Sequence, residues 1–277
     1  MQHPAEQSLL GKQASYSSQY DAGLLFAIER THNWARLGLS AGELPWQGVD
    51  IWSAYELSWL LPSGRPVVAM AEVRVPACSP CIIESKSFKL YLNSFNQTCF
   101  ADTHQVKMTL EHDLSAIAGI PVAVQLFELQ QPNALAVVEL PGLCVDMLDI
   151  EISQYNGADA GLLTCDEDGP HSQQLHSHLL RSLCPVTGQP DWGSVLVEYS
   201  GSRRLQPESL LRYLVSFREH QDFHEHCVER IYCDLSQLLA PESLSVQARY
   251  LRRGGLDINP CRSSQPHDWH SLRLVRQ

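Results

Sequence analysis

Cys184 stands directly before a proline and seven residues ahead of Asp191, in the stretch SLCPVTGQPDWG. Pro185 and the residues after it break regular structure, so the thiol is expected in a loop or at the end of an element. A turn there brings the Asp191 carboxyl towards the sulfur. A carboxylate alone raises a thiol's pKa rather than lowering it. The pair therefore suits a nucleophile beside a proton donor better than a thiolate–imidazolium couple. The competing reading is a small buried apolar side chain in front of a turn, and these residues by themselves leave both open.

Other stretches also carry reactive side chains. FREHQDFHEH spaces His220, His224 and His226 like metal ligands along one helix face and its edge. The plain alternative is a solvated helix start with Glu225 favoured in its first turn, and no metal is expected. ESKSFK sets Glu84, Lys86 and Lys89 with Ser85 and Ser87 at an expected strand-to-helix junction. Free backbone N–H groups at a helix start, helped by Ser85 and Lys86, can hold a phosphate. The same serines are also good helix caps, with the lysines simply solvated. RRGGLDINP joins Arg252 and Arg253 to Gly254 and Gly255. It reads either as an arginine fork for a phosphate, with glycines permitting close approach, or as a type I′ hairpin turn. CSPC (Cys78 to Cys81) lacks the second pair that zinc needs and the βαβ pattern of a thioredoxin. No GxGxxG occurs, so a dinucleotide would be bound outside a Rossmann fold.

The elements that must position these residues come in two similar sets. YLNSF (Tyr91 to Phe95) returns as YLVSF (Tyr213 to Phe217), and DLS at Asp113 returns at Asp234. VVAMAEV (Val67 to Val73) lies over GSVLVEY (Gly193 to Tyr199). Three matches in one order at nearly constant spacing indicate a diverged duplication. In each half an alternating run predicts a strand, PVVAMAEVRV or SVLVEYSG. Two helices follow, SFKLYLNSF then HQVKMTLEHDLSAIA, or ESLLRYLVSF then HEHCVERIYCDLSQLL. Strands close each half, IPVAVQLFEL and SVQARYLRR. This is an α+β pattern, an antiparallel sheet backed by helices. The join is expected near Gln154 to Leu163, giving an N-terminal module 1–155 and a C-terminal module 156–277. An ungapped match sets Ser58 opposite Cys184 and Arg65 opposite Asp191; one gap sets Ala101 and Asp102 opposite His224 and Glu225. A site built where the copies differ is one reading of this divergence, and drift in two structural copies is the other.

Composition bounds the rest. The chain has 277 residues, is 44% hydrophobic and 18% charged, and carries a formal net charge of -11. That is enough for a sizeable core. The acidic balance argues against nucleic acid as a partner, because phosphate-backbone binders present basic faces. No apolar run reaches the ~18 residues of a membrane helix, and the first twenty residues lack the pattern of a signal peptide. Nine cysteines without a regular framework suggest reduced thiols in a cytoplasm, with Cys144 and Cys233 expected as small buried apolar residues.

ESKSFKLYLNSF, LCPVTGQPDWG, SFREHQDFHEH and RRGGLDINPCRS, in this order, resemble the NADPH-dependent nitrile reductases of queuosine biosynthesis, the QueF family, in its long two-module form. The resemblance implies reduction of the nitrile 7-cyano-7-deazaguanine to 7-aminomethyl-7-deazaguanine at the expense of two NADPH. It implies two tandem tunnelling-fold (T-fold) modules, a homodimer, a small-molecule partner, and neither a tRNA surface nor a membrane. Carried onto this chain, it makes Cys184 the nucleophile that forms a covalent thioimide, Asp191 the proton donor and His224 its helper. Ile83, Glu84, Ser85, Phe223, His224 and Glu225 would bind the substrate, and Ser85, Lys86, Arg253 and Gly254 the NADPH. The alternatives are a zinc-dependent GTP cyclohydrolase-like enzyme on the same fold, a cysteine-dependent amidohydrolase, and a non-catalytic purine- or pterin-binding module.

Overall fold

The computed structural model describes residues 16–130 and 136–277. The chain divides into two units. Unit 1 takes Met1–Glu43, Asp50–Leu135 and Arg252–Ile258; unit 2 takes Leu44–Val49, Ala136–Leu251 and Asn259–Gln277. The main cut therefore falls at 135/136, ahead of the join drawn from the repeat, and a late segment counts with unit 1.

In chain order, unit 1 holds strand β1 (Ala27–Glu29), helix α1 (Thr31–Arg36), strands β2 (Gln47–Leu60), β3 (Pro66–Pro76) and β4 (Cys81–Ile83), helices α2 (Ser85–Ser94) and α3 (Thr103–Ala118), and strand β5 (Ala123–Phe127). Its sheet runs β5-β3-β2, with β1 and β4 as a separate antiparallel pair. Phe88, Tyr91 and Phe95 recur along α2 at helical spacing, as do Val106, Leu110 and Leu114 along α3. Both stripes bury into one core with Trp52, Trp59, Ala71 and Val73 of the sheet. Each such side chain contributes roughly 1.5–3 kcal/mol when taken fully out of water. Gly119, at φ 74°, ends α3 in the left-handed conformation that glycine adopts without strain.

Unit 2 repeats the plan. It holds strands β6 (Leu143–Cys144), β7 (Cys165–Asp166), β8 (His171–Leu183), β9 (Pro190–Gly201) and β10 (Arg204–Leu205), helices α4 (Pro207–Ser216) and α5 (His224–Leu239), and strands β11 (Ser243–Tyr250) and β12 (Leu256–Ser263). The order is β12-β11-β9-β8-β6, antiparallel except for the parallel β6–β8 pair. Helices back the sheet in both units, as the α+β pattern predicts. The strands β2 and β8 that lead each long hairpin are additions to the predicted set.

The repeated sequences make repeated bonds. Tyr91 Oη donates to Asp113 Oδ2 at 2.6 Å, and Tyr213 Oη donates to Asp234 Oδ2 at 2.6 Å. Ser94 and Ser216 each return their hydroxyl to the carbonyl three residues back, again at 2.6 Å. A further repeat goes with them: DAGLL at Asp21 and at Asp159 forms a short 3-10 turn in each unit, capped by its own aspartate at 2.8 and 2.9 Å. The duplication is thus built into matching polar contacts in the two cores.

Candidate active site

Cys184 sits at the mouth of the β8–β9 hairpin. Leu183 pairs with Pro190 and Ser182 with Asp191. Directly paired residues share a face, and so do residues two apart on a strand. Cys184, Ser182 and Asp191 therefore belong to one face of the hairpin. The loop closes through the Cys184 amide, which donates to the Gln189 carbonyl at 2.9 Å, and Gly188, at φ 66°, donates back to the Cys184 carbonyl at 3.0 Å. Both Cys184 and Asp191 are buried, at 7% and 5% exposure. The hairpin turn thus puts the thiol and the carboxyl on one face.

The segment before α5 is tied to the same strand end. The Leu183 amide donates to the His220 carbonyl at 2.8 Å, and the Asp222 amide donates to the Leu183 carbonyl at 3.1 Å. This seats the start of α5 beside the hairpin and puts His224 Nε2 3.5 Å from Asp191 Oδ1. Phe223 is the N-cap residue of α5, with its ring edge-on to His226, and Glu225 is buried in the first turn. The other two histidines turn to Asp222: His226 Nδ1 lies 2.8 Å from Oδ1, and His220 Nε2 3.6 Å from Oδ2. Among the described residues, His220, His224 and His226 do not form a metal-ligand group.

Three further residues surround the pair, and sequence reasoning passed over them. Tyr250 pairs with Gly193, where a Cβ would lie 3.2 Å from the tyrosine ring, so the glycine leaves room for it. The Tyr250 ring lies 3.9 Å from that of His224, between centroids. Burial first, then the charges of Cys227 and Asp191, hold the Tyr250 hydroxyl well above its usual pKa. Burial likewise pushes the Cys227 thiol up, with Asp222 and Asp191 adding to it. Both groups are neutral at physiological pH. Ser182, Tyr250 and Cys227 are linked by side-chain hydrogen bonds, and His224 Nε2 faces Asp191. Buried polar groups thus gather beside Asp191. Cys227 was readable as the i+3 neighbour of His224 on one helix. Tyr250 was not, because only the β9–β11 register brings it there.

Unit 1 carries the remaining expected residues. Ile83 ends β4, pairs with Ala27 and belongs to the core. Glu84 is the N-cap of α2, and its carboxylate accepts from the Lys86 and Ser87 amides at 2.7 and 2.8 Å. This corrects the expectation of free N–H groups there: the Lys86 and Ser87 amides are already taken by a carboxylate, and Glu84, not a serine, is the cap. Burial pushes the Glu84 carboxyl up, and the two amides pull it back. Ser85 and Lys86 follow, half-buried. The RRGG stretch is a two-residue hairpin turn, with φ 58° at Gly254 and 78° at Gly255, and the Arg253 amide donates to the Leu256 carbonyl at 2.8 Å. Arg252 stacks on Tyr55, 3.7 Å above its ring. A Cβ at Gly254 would lie 2.5 Å from Lys89 Nζ, so Lys89 is a lysine of ESKSFK that meets this turn. Glu56, Lys89, Asn93, Asn96, Gly254 and Gly255 line a shallow pocket.

Residues 16–126 match the family described as "Nitrile reductase, 7-cyano-7-deazaguanine-reductase N-term", and residues 190–269 match the "QueF-like protein" family. Glu84 and Lys86 fall in the first match, and Asp191, Phe223, His224, Glu225, Arg253 and Gly254 in the second; Cys184 falls between them. These matches define an oxidoreductase of the nitrile reductase class. The chain belongs to the QueF family, with an N-terminal nitrile reductase module followed by a QueF-like module, and this indicates a 7-cyano-7-deazaguanine reductase role in the queuosine pathway. Among solved structures, an archaeosine synthase QueF-Like in the apo form is similar at 17% identity and a TM-score of 0.31, over 37% of this chain and all of that one. No helix among the described residues is long and apolar enough to cross a membrane.

Proposed function

We propose that this chain reduces 7-cyano-7-deazaguanine to 7-aminomethyl-7-deazaguanine with NADPH, through a covalent thioimide on Cys184. The observation that carries this reading is the buried thiol and buried carboxyl on one hairpin face, with His224 Nε2 3.5 Å from the carboxyl. Cys184 Sγ bonds to the nitrile carbon, and one C≡N π bond opens. The nitrogen takes a proton from the Asp191 carboxyl, which recovers it from the thiol. The resulting thioimide is a C=N group, which accepts hydride more readily than the nitrile does. When bound, NADPH supplies two hydrides, one to the thioimide and one to the imine left after Cys184 departs as thiolate. Each reduction also consumes a proton at nitrogen, so the whole reaction takes four electrons and four protons. His224, beside Asp191, positions or assists these proton transfers.

Glu84 and Glu225 suit a guanine-like edge, since carboxylates accept from ring N–H and exocyclic NH2 donors. Ile83 and Ser85 contribute to binding, and Phe223 packs on the base. The cofactor residues fit their role by chemistry: a glycine turn without Cβ atoms, with Arg253, Lys86 and Lys89 as cations and Ser85 as a neutral donor. The reading extends to tunnelling-fold modules, a homodimer, a cytoplasmic location and a free base as substrate, with no nucleic-acid partner.

Intact mass after mixing with the nitrile, without NADPH, tests the central step. One added ligand is expected on the parent and none on Cys184→Ala, and with NADPH present the nicotinamide absorbance should fall only when the nitrile is added. An adduct on Cys78 or Cys81 in place of Cys184 would overturn the assignment.

A further inference from the structure

One cluster in unit 2 lies outside the site just described. Strand β6 runs parallel to β8, with Cys144 in register with His176. The Val145 amide donates to the His176 carbonyl at 2.9 Å, which locks that register. Gly142, at φ 80°, has no room for a Cβ against the Gln174 carbonyl, so glycine lets this edge segment lie flat on β8. His178, two residues along β8, shares a face with His176, their rings 5.3 Å apart, and a bulge lies between Ser177 and Leu180. Cys144 Sγ and one nitrogen of each imidazole lie within 4.8 Å of one another. The sequence led us to expect Cys144 as a small buried apolar residue; instead it is half-buried, at the sheet edge beside two imidazoles.

The polar surroundings orient this trio. His176 Nδ1 lies 2.9 Å from the Pro141 carbonyl oxygen. A carbonyl only accepts, so Nδ1 carries the hydrogen and Nε2 keeps a free lone pair. His178 Nδ1 lies 2.8 Å from Ser194 Oγ, which again leaves Nε2 for another partner. Such outer hydrogen bonds fix the tautomer and ring direction of metal-binding histidines. Asp146 anchors the loop by accepting from Ser177 Oγ at 2.6 Å and from the His178 amide at 3.0 Å. His178 and Cys144 are half-buried, so an ion can reach them from solvent. Arg249, a cation on the same row two strands away, is directed to Gln247 Oε1 and the His270 carbonyl, at 3.0 and 3.1 Å.

We propose that Cys144, His176 and His178 bind one thiophilic divalent cation, of which zinc is the type, with water in a fourth position. One thiolate and two imidazoles are a zinc-type donor set, and tetrahedral zinc needs donor separations of about 3.3–3.6 Å, so the side chains close by about 1 Å on binding. The register sets this site apart from the proposed reductase site. His176 pairs with Leu196 and Ser182 with Asp191, an even–odd alternation that puts the two groups on opposite faces of the sheet. The ion would clamp the two-residue strand β6 to β8.

Cobalt titration of the full chain, reduced and stripped with chelator, tests this without reference to turnover. One equivalent of Co2+ should give tetrahedral d–d bands with a thiolate-to-cobalt charge-transfer band, and Zn2+ should remove both. Cys144→Ser should lose the charge-transfer band, while Cys184→Ala should keep it. Ser194→Ala, which removes only the outer partner of His178, should weaken cobalt binding by about 10–100-fold. Absence of the charge-transfer band in the parent overturns the proposal whatever the variants do. Its survival in Cys144→Ser, or its loss in Cys184→Ala, overturns it too.

Discussion

The β2–β3 hairpin of unit 1 and the β8–β9 hairpin of unit 2 share one frame. In the first, the Leu61 amide donates to the Arg65 carbonyl at 2.9 Å and the Gly64 amide to the Leu61 carbonyl at 2.8 Å. In the second, Cys184, Gln189 and Gly188 make the same two bonds at 2.9 and 3.0 Å. Gly64 and Gly188 both take positive φ, 81° and 66°. Leu61 is therefore the counterpart of Cys184, and Val67, two residues beyond Arg65, is the counterpart of Asp191. The ungapped sequence match sets Ser58 and Arg65 there, three and two residues short of the counterparts that the hairpin bonds give. The correction sharpens the contrast: one copy keeps leucine and valine, the other has a thiol and an acid. Helix starts differ in the same sense. Glu84 and Asp102 cap α2 and α3 with their side chains, whereas Gln206 and Phe223 make no side-chain cap for α4 and α5. Unit 1 caps these helices with carboxylates, whereas the N-cap residue of α5, beside the candidate chemistry of unit 2, supplies no side-chain cap.

The largest effect expected from this contrast is at the acid. Asp191→Asn should lower turnover by about 10^2–10^4-fold, the usual worth of a placed proton donor. The measurement is nitrile-dependent NADPH oxidation, with circular dichroism to confirm the fold. Parent-like turnover would mean that the replacement of valine by aspartate between the two hairpins has no catalytic meaning.

Next come the features the copies have kept. Tyr91→Phe and Tyr213→Phe each leave an aspartate short of a donor, buried at Asp113 and half-buried at Asp234, and each should cost about 1–3 kcal/mol in chemical denaturation. The bonds match at 2.6 Å in both units, but Asp113 Oδ2 also accepts from Tyr20 Oη at 2.7 Å, so the Tyr91 variant should lose less. A loss confined to one variant would show that the copies no longer share a core design.

These conserved pairs are also where the sequence was most readable. Apolar stripes at helical spacing and YL-SF with DLS located all four long helices to within a few residues, because local periodicity and the core contacts agree. DAGLL is an equally readable repeat. Strand β8 was hidden for a physical reason: HSQQLHSHLLRSL is polar on one face and interrupted by a bulge, so it shows no clean alternation. Cys184, Asp191 and His224 were legible as reactive types, but Tyr250 and Ser182 join them only through strand register, which no single sequence displays. The cap at Glu84 was misplaced because serine is the usual capping residue, and here a buried carboxylate does that work.

Glu84 also makes a pH prediction. Its folded pKa is raised, chiefly by burial. The unfolded chain then gives up this proton first as pH rises, so ionisation favours unfolding. The stabilising contribution is full below the ordinary carboxylate range and is lost as pH rises through the folded value. Thermal melts from about pH 4 upwards should show the parent losing stability relative to Glu84→Gln. A parallel pair of Tm curves would remove burial as the dominant influence on this group.

The smallest effect separates stability from chemistry most cleanly. Asp102 caps α3 by accepting from the Gln105 amide at 2.8 Å, in an exposed position. Its counterpart by helix start is Phe223, which corrects the one-gap match that sets Asp102 opposite Glu225; Phe223 precedes His224 and carries no side-chain cap. Asp102→Ala should cost about 0.5–2 kcal/mol in denaturant midpoint analysis, the usual loss at an N-cap. Turnover of the folded fraction should be unchanged, because the residue belongs to the unit 1 helix that kept its cap. If Asp102→Ala instead lowered turnover without lowering stability, the reading of this cap as structural alone would fail.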